Sequence, residues 1–279
     1  MALIDSSYGK GRVRVLRLHK DGARHEVREL NVHAMMRGDF DRLFTDKDNS
    51  KAVSTDTVKN LVNIVARENP ALDTEAFCEA VAGRFFERYP QVAGVTVTAH
   101  ETRWNRLAVE GQPHPHSFTL DGNGRPFATV EATREGTMVT SGIAGFTLMK
   151  TTESGWDAYE KDSYTTIKET RDRICATSLE TSWVWNRAPA DYRAANDLIL
   201  RTMVDVFATT YSESVQDSLY RMAMEALALV PEIDLVSLSA PNKHYIPINL
   251  SAFGLANENV VFLPTDEPHG QIECTVGRD

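Results

Sequence analysis

The most suggestive side chains for metal chemistry are His114 and His116, two residues apart in His114-Pro115-His116. On a strand, such residues point to the same face, where two imidazoles can share a metal. Pro115 disturbs such a strand and no third ligand lies nearby in sequence, so the expectation is hydrogen-bonded structural histidines. The chain has no HExxH, no CxxC pair, no GxGxxG after a strand and no GxxxxGK[ST] loop, so zinc and nucleotide cofactors are unsupported. The other candidates are polar residues in unusual settings. Lys10 follows Tyr8-Gly9 just before a strand, Ser54-Thr55-Asp56 and Ser214-Val215-Gln216 each open a helix, and Asn242-Lys243-His244-Tyr245 follows Pro241 at a strand end. Taken singly, each has an ordinary explanation: a surface lysine, two helix caps and a turn.

The elements that must hold these residues follow a plan that runs twice. Val13 to Leu18 alternates apolar and polar residues as a half-buried strand does, and Asp21-Gly22 is a turn signal before a partner strand over Glu26 to Ala34. Cap chemistry at Ser54 to Asp56 precedes Val58, Leu61, Val62 and Val65, which recur on one helical face until Pro70. A second helix is predicted over Thr74 to Arg88. Strands follow at Val92 to Glu101 and Arg103 to Val109, with a further hairpin suggested by Phe118, Phe127 to Ala132 and Met138 to Thr140 and joined by Asp121-Gly122-Asn123-Gly124. The second half reads as strands at Phe146 to Lys150 and Thr177 to Trp185, helices around Leu200 to Phe207 and Leu219 to Val230, then strands at Ile233 to Ser239 and Val260 to Leu263. No Pro/Gly/Ser-rich linker divides the halves. The expectation is an α+β protein of two fused modules, residues 1–140 and 141–279, sharing one antiparallel sheet with helices on one face. Open sheet edges of that kind invite pairing with further chains, which points to an oligomer.

Composition narrows the function. A net charge of −9 over 279 residues argues against a general nucleic-acid binder, though a few local cations suffice for a small anion. Cys78, Cys175 and Cys274 are far apart and odd in number, which suits reduced thiols rather than a disulfide framework or zinc cluster. No uncharged apolar run of about 18 residues occurs. Met1 to Lys10 lacks a signal-peptide core, and Thr275 to Asp279 is not a peroxisomal address. A cytoplasmic location is therefore expected.

Together the polar stretches resemble urate oxidase (uricase). The matching segments are Tyr8-Gly9-Lys10, Ser54-Thr55-Asp56, Pro113 to Phe118, Tyr164 to Thr170, Asp172-Arg173, Ser214-Val215-Gln216, Pro241 to Tyr245 and Cys274 to Arg278. They fall in the family's order over nearly the whole chain. The resemblance implies the tunnelling fold (T-fold), with two ββααββ modules per chain, and a homotetramer with active sites at subunit interfaces. It implies oxidation of urate by O2 and water to 5-hydroxyisourate and hydrogen peroxide, a step of purine degradation, without metal or organic cofactor. Lys10, Thr55 and His244 would then be the catalytic proton relay, with Lys10, Thr55 and Asp56 supplied by one subunit and His244 by its neighbour, and Thr55 and Asp56 would also bind substrate. Trp156, Arg173, Val215, Gln216 and Asn242 of its neighbour would bind substrate, and Asn242 with Thr55 would hold oxygen, then water. Trp156 stands where the family usually has Phe. The two main rivals are a pterin- or purine-acting hydrolase of the same fold and a non-catalytic purine binder. The first usually needs a metal cluster or an anchoring carboxylate that is not evident, and the second would be favoured by changes at Lys10, Thr55 or His244.

Overall fold

The computed structural model describes residues 1–278; Asp279, part of the C-terminal reading above, lies outside the described residues. The chain divides into two compact units, Met1–Gly142 with Arg187–Arg193, and Ile143–Asn186 with Ala194–Asp279.

In the first unit, β1 (Tyr8–Asp21) and β2 (Arg24–Gly38) form a hairpin. Gly22 turns it with φ at 55°, a conformation that costs glycine little. A short helix α1 (Asp41–Thr45) precedes α2 (Thr55–Glu68) and α3 (Thr74–Arg88). The strands β3 (Val92–Thr102), β4 (Trp104–Val109), β5 (Gln112–Leu120) and β6 (Arg125–Thr133) follow. The ladder β1-β2-β3-β6 is antiparallel throughout, and β4 and β5 pair as a separate ribbon. Leu30, Val32, Ala34 and Met36 alternate into the core from β2. Onto that layer α2 buries Val58, Leu61, Val62 and Val65, and α3 buries Phe77, Val81 and Phe85, as the 3.6-residue period requires. Arg17, only 3 % exposed, donates to the carbonyls of Asn69 (3.1 Å) and Leu72 (2.9 Å) between the helices and lies over the Phe77 ring. Burial lowers its pKa to about 10, which leaves it charged at neutral pH.

Strand β7 (Thr137–Lys150) passes from the first unit into the second. There β8 (Cys175–Trp185), α4 (Tyr192–Thr209), α5 (Val215–Leu229), β9 (Ile233–Pro247) and β10 (Phe262–Gly277) complete a second β-β-α-α-β-β order, with strands arranged β7-β8-β9-β10. α5 buries Leu219, Met222, Ala223, Ala226 and Leu227. Its C-terminal carbonyls are closed by Arg278, which donates to Leu227 and Val230 as well as to Ile233. The fold is therefore α+β on antiparallel strands, as expected. Among the described residues no helix is long and apolar enough to cross a membrane, and the three cysteines are free.

Several local readings differ. Asp121 to Gly124 joins no hairpin, because β5 pairs with β4 and β6 with β3. The last strand, read as Val260 to Leu263, begins at Phe262 and runs on to Gly277. Met138–Thr140 and Phe146–Lys150 belong to one 14-residue strand, β7. Glycines at 142 and 145 look like a break, yet Gly145 absorbs a φ of 71° within the strand. Pro241 was read as a strand end before a turn, but it and Asn242 to Tyr245 lie inside β9, with Pro241 opposite Gln271 of β10. The β8–β9 ladder skips Ala240 and Pro241, so the N–H that proline lacks is not called upon.

Candidate active site

The first unit assembles one group of the expected residues. Lys10 lies on β1 opposite Ala34, and the β1–β2 register shifts between Lys10 and Val13, where Arg12 has φ 57°. Such a bulge re-aims the side chains beside it. Gly9 is obligatory there, because a Cβ would fall 1.9 Å from the Ala34 carbonyl oxygen. Tyr8 fastens this strand start. Its ring packs edge-on to buried Phe40 at 5.0 Å, and its Oη accepts the Val53 N–H at 2.9 Å. The next residue, Ser54, is the N-cap of α2 and accepts the Thr57 N–H at 3.1 Å. Thr55 and Asp56 thereby stand exposed in the first helical turn. The Asp56 carboxylate accepts from Lys59 and Asn60. The Lys59 hydrogen bond is the main reason that it titrates below the usual carboxylate range, and the charge of Lys10 pulls the same way. Tyr8-Gly9-Lys10 and Ser54-Thr55-Asp56 thus share one neighbourhood.

The second unit holds the other group around a cleft of about 810 Å³ lined by Trp156, Arg173, Asn242 and His244, among others. Asn242 and His244 are i and i+2 on β9, so they share a face. Asn242 is held between Thr177 of β8 and Gly270 of β10, and His244 lies opposite Thr265. Arg173 is half-buried, and burial lowers its guanidinium pKa. Its buried Nε finds no acceptor among the described residues. Its backbone N–H donates to Ser154 at 3.0 Å, while Gly155 and Glu153 exchange bonds with Ser212 at 2.9 Å. Gly155 admits the Tyr211 hydroxyl, which would lie 2.4 Å from a Cβ. One short segment, residues 153–155, therefore fastens Arg173 to a point two residues before Ser214, the N-cap of α5.

Ser214 accepts the Asp217 N–H at 3.1 Å, so buried Val215 and exposed Gln216 occupy the first turn of α5. First-turn N–H groups have no intrahelical acceptor and suit an anion. Neither residue lines the cleft itself. Trp156 exchanges both backbone bonds with Thr170 at 2.7 and 3.0 Å. The Tyr164–Thr170 stretch contributes Ile167 to Thr170 to the cleft wall. A half-buried guanidinium, an amide and an imidazole on one strand face, and an indole make a site suited to a flat, anionic, hydrogen-bonding ring.

His114 and His116 are in the first unit, on β5. Their rings lie 4.6 Å apart, with His25 5.7 Å from His116. Among the described residues no group of three His, Cys, Asp or Glu can hold a metal ion. The reading from sequence missed Arg106, whose guanidinium donates to the carbonyls of His25, His114 and Pro115 and to Glu26. It also missed Tyr159, stacked on Trp156, for which an aromatic three residues on in an aperiodic loop was the only hint.

The family model described as Uricase matches residues 6–131 and 139–273. A uricase of Dictyostelium discoideum is 36 % identical over 99 % of this chain and 97 % of its own length. A uricase of Aspergillus flavus is 36 % identical over 97 % of this chain and 95 % of its own. The crystal structure of the Arthrobacter globiformis uricase superposes with a TM-score of 0.94 at 35 % identity, covering 100 % of this chain and 96 % of that one. The chain belongs to the uricase family.

Proposed function

We propose that the protein is a urate oxidase that converts urate, O2 and water to 5-hydroxyisourate and hydrogen peroxide in purine degradation, with no metal or organic cofactor. The observation that carries this reading is the convergence of Trp156, Arg173, Asn242 and His244, widely separated in sequence, on one cleft. Arg173 offers a planar fork of donors, and Gln216 an amide donor and acceptor, to clamp the carbonyl and ring-nitrogen edge of urate. The N–H groups of Val215 and Asp56 add donors, and the indole of Trp156 covers a ring face.

Ground-state O2 is a triplet, so a closed-shell substrate reacts with it only by single-electron steps, which most oxidases delegate to a cofactor. An electron-rich urate anion can supply the electrons itself. Lys10, in its neutral amine form, takes a proton through Thr55, with His244 assisting, and Asn242 and Thr55 hold O2 beside the ring. One electron passes from the urate anion to O2, and the resulting radical pair combines to form a C–O bond, a peroxide at the ring carbon. The proton held by Lys10 and one from solvent pass to the peroxide, which leaves as hydrogen peroxide with the C–O electron pair, and water adds at that carbon to give 5-hydroxyisourate. The module boundary at residues 140/141 separates Lys10, Thr55 and Asp56 from the remaining residues. A cytoplasmic homotetramer would bring the first set of one copy to the second set of a neighbour, completing each site.

The test is urate added to chelator-treated protein, shown metal-free by elemental analysis, in aerated buffer. Loss of urate's ultraviolet absorbance with matching peroxide is expected. Activity that returns only with added metal would overturn the cofactor-free reading, and urate binding without turnover would make the protein a purine binder.

A further inference from the structure

Trp156 leaves the regular strands in an aperiodic loop, residues 151–174, yet its ring is held on one side. Tyr159 stacks on it with centroids 5.4 Å apart and planes 12° from parallel. Trp156 lines the cleft and Tyr159 does not, so the tyrosine ring backs the indole. Tyr159 is itself tied down. Its Oη donates to the Ile167 carbonyl at 2.7 Å. The neighbouring Ala158 N–H donates to Glu169 at 3.1 Å, and Glu169 pairs with Lys161 at 2.9 Å. The far limb of this small loop, Ile167 to Thr170, returns to the cleft wall.

We infer that Tyr159 is a positioning residue for the ring-binding face of this site: by stacking behind Trp156 it presents the indole to a planar heterocycle already ordered. The inference rests on the urate reading above. An indole on an irregular loop would otherwise lose rotamer freedom when the ligand binds. With Tyr159 behind it, that ordering is complete before urate arrives, so the effect belongs to affinity. The two contacts of Tyr159 are separable, since phenylalanine keeps the stack and loses only the hydroxyl bond to Ile167.

Urate binding is measured by calorimetry without oxygen, where turnover cannot occur, and steady-state rates are measured in air. Tyr159→Leu should weaken urate binding about 3- to 10-fold, the loss expected when one side chain must be ordered on binding. KM should rise in step and kcat stay within about twofold. Tyr159→Phe should bind within about twofold of wild type. Adding Tyr159→Leu to Trp156→Leu should cost nothing further, because the tyrosine acts through the indole. Unchanged affinity in Tyr159→Leu overturns the inference, as does equal damage by Tyr159→Phe or an additive double variant. If wild type binds no urate, the urate reading fails by itself. The stack is then read from the Trp156 share of fluorescence, wild type minus Trp156→Phe. Tyr159→Leu must shift that share and Tyr159→Phe must not, and an unshifted spectrum overturns the positioning as well.

Discussion

Replacing Arg173 by methionine should move stability and substrate affinity in opposite directions. In the folded chain the guanidinium is half-buried, its Nε meets no acceptor among the described residues, and burial lowers its pKa. Each observation marks a cation whose desolvation the fold does not recompense. Methionine keeps much of the apolar stem and removes the charge. The unliganded protein should therefore melt at an unchanged temperature or a slightly higher one, on a scale of about 2–4 °C per kcal/mol for a domain of this size. For urate the sign reverses. Two hydrogen bonds from a charged donor are worth about 1.5–3 kcal/mol each, so losing the fork removes roughly 3–6 kcal/mol. At about 1.4 kcal/mol per factor of ten, affinity falls about 10²- to 10⁴-fold. Differential scanning fluorimetry without ligand and oxygen-free urate titration give the two numbers. A lower melting temperature with urate affinity within a few-fold of wild type would refute the reasoning, because Arg173 would then be a structural cation and no clamp.

Lys10→Met should lower kcat about 10²- to 10⁴-fold, the usual yield of a general base, with the protein still folded; near-normal turnover in a coupled peroxide assay would end the proton-relay proposal. Glu29 accepts hydrogen bonds from Arg14 (2.8 Å) and the Trp104 indole (3.0 Å), and the Arg14 bond is the first cause of its lowered pKa. A carboxyl depressed on folding stabilises the fold above its unfolded value, about 4.3, and that contribution disappears as pH falls through the lower folded value. Glu29→Gln should thus be less stable than wild type at pH 7 in urea titrations, with the two curves converging in acid; a gap that widens as pH falls would contradict the assignment.

What was legible in the sequence tracks how local the determining physics is. The second helix was predicted over Thr74 to Arg88 because Phe77, Ala80, Val81 and Phe85 repeat at the helical period, and α3 has those bounds, with Ala80 alone of the four left half-buried. The hairpin at Gly22 was legible because a turn has its own residue chemistry. Pro241 misled because its cost depends on whether the adjoining ladder asks for its N–H at that register, a property of β8 rather than of β9. The loop over residues 151–174 was opaque for the same reason. It has no period, and its order comes from side-chain partners such as Asp157 with Arg171 and Tyr159 with Ile167. Tyr159 could not be singled out without them.

The ordinary explanations for the two cap motifs were correct and still did not compete with the functional ones, whereas the turn expected at Asn242 to Tyr245 is part of strand β9. Ser54 and Ser214 do cap α2 and α5, each accepting the N–H three residues on. A satisfied cap is what holds the next two residues at a helix N-terminus, where their amide hydrogens have no helical partner and the dipole favours an anion. Thr55-Asp56 and Val215-Gln216 are those pairs, one in each unit. The same geometry therefore stabilises the helix and prepares the donors, so no single motif can reveal whether a ligand is intended. Only the set can. Within the second unit, a capped N-terminus, a half-buried cation whose Nε has no acceptor among the described residues and an amide–imidazole pair on one strand face are individually commonplace. Under the proposed function, a flat anion engages several of them at once.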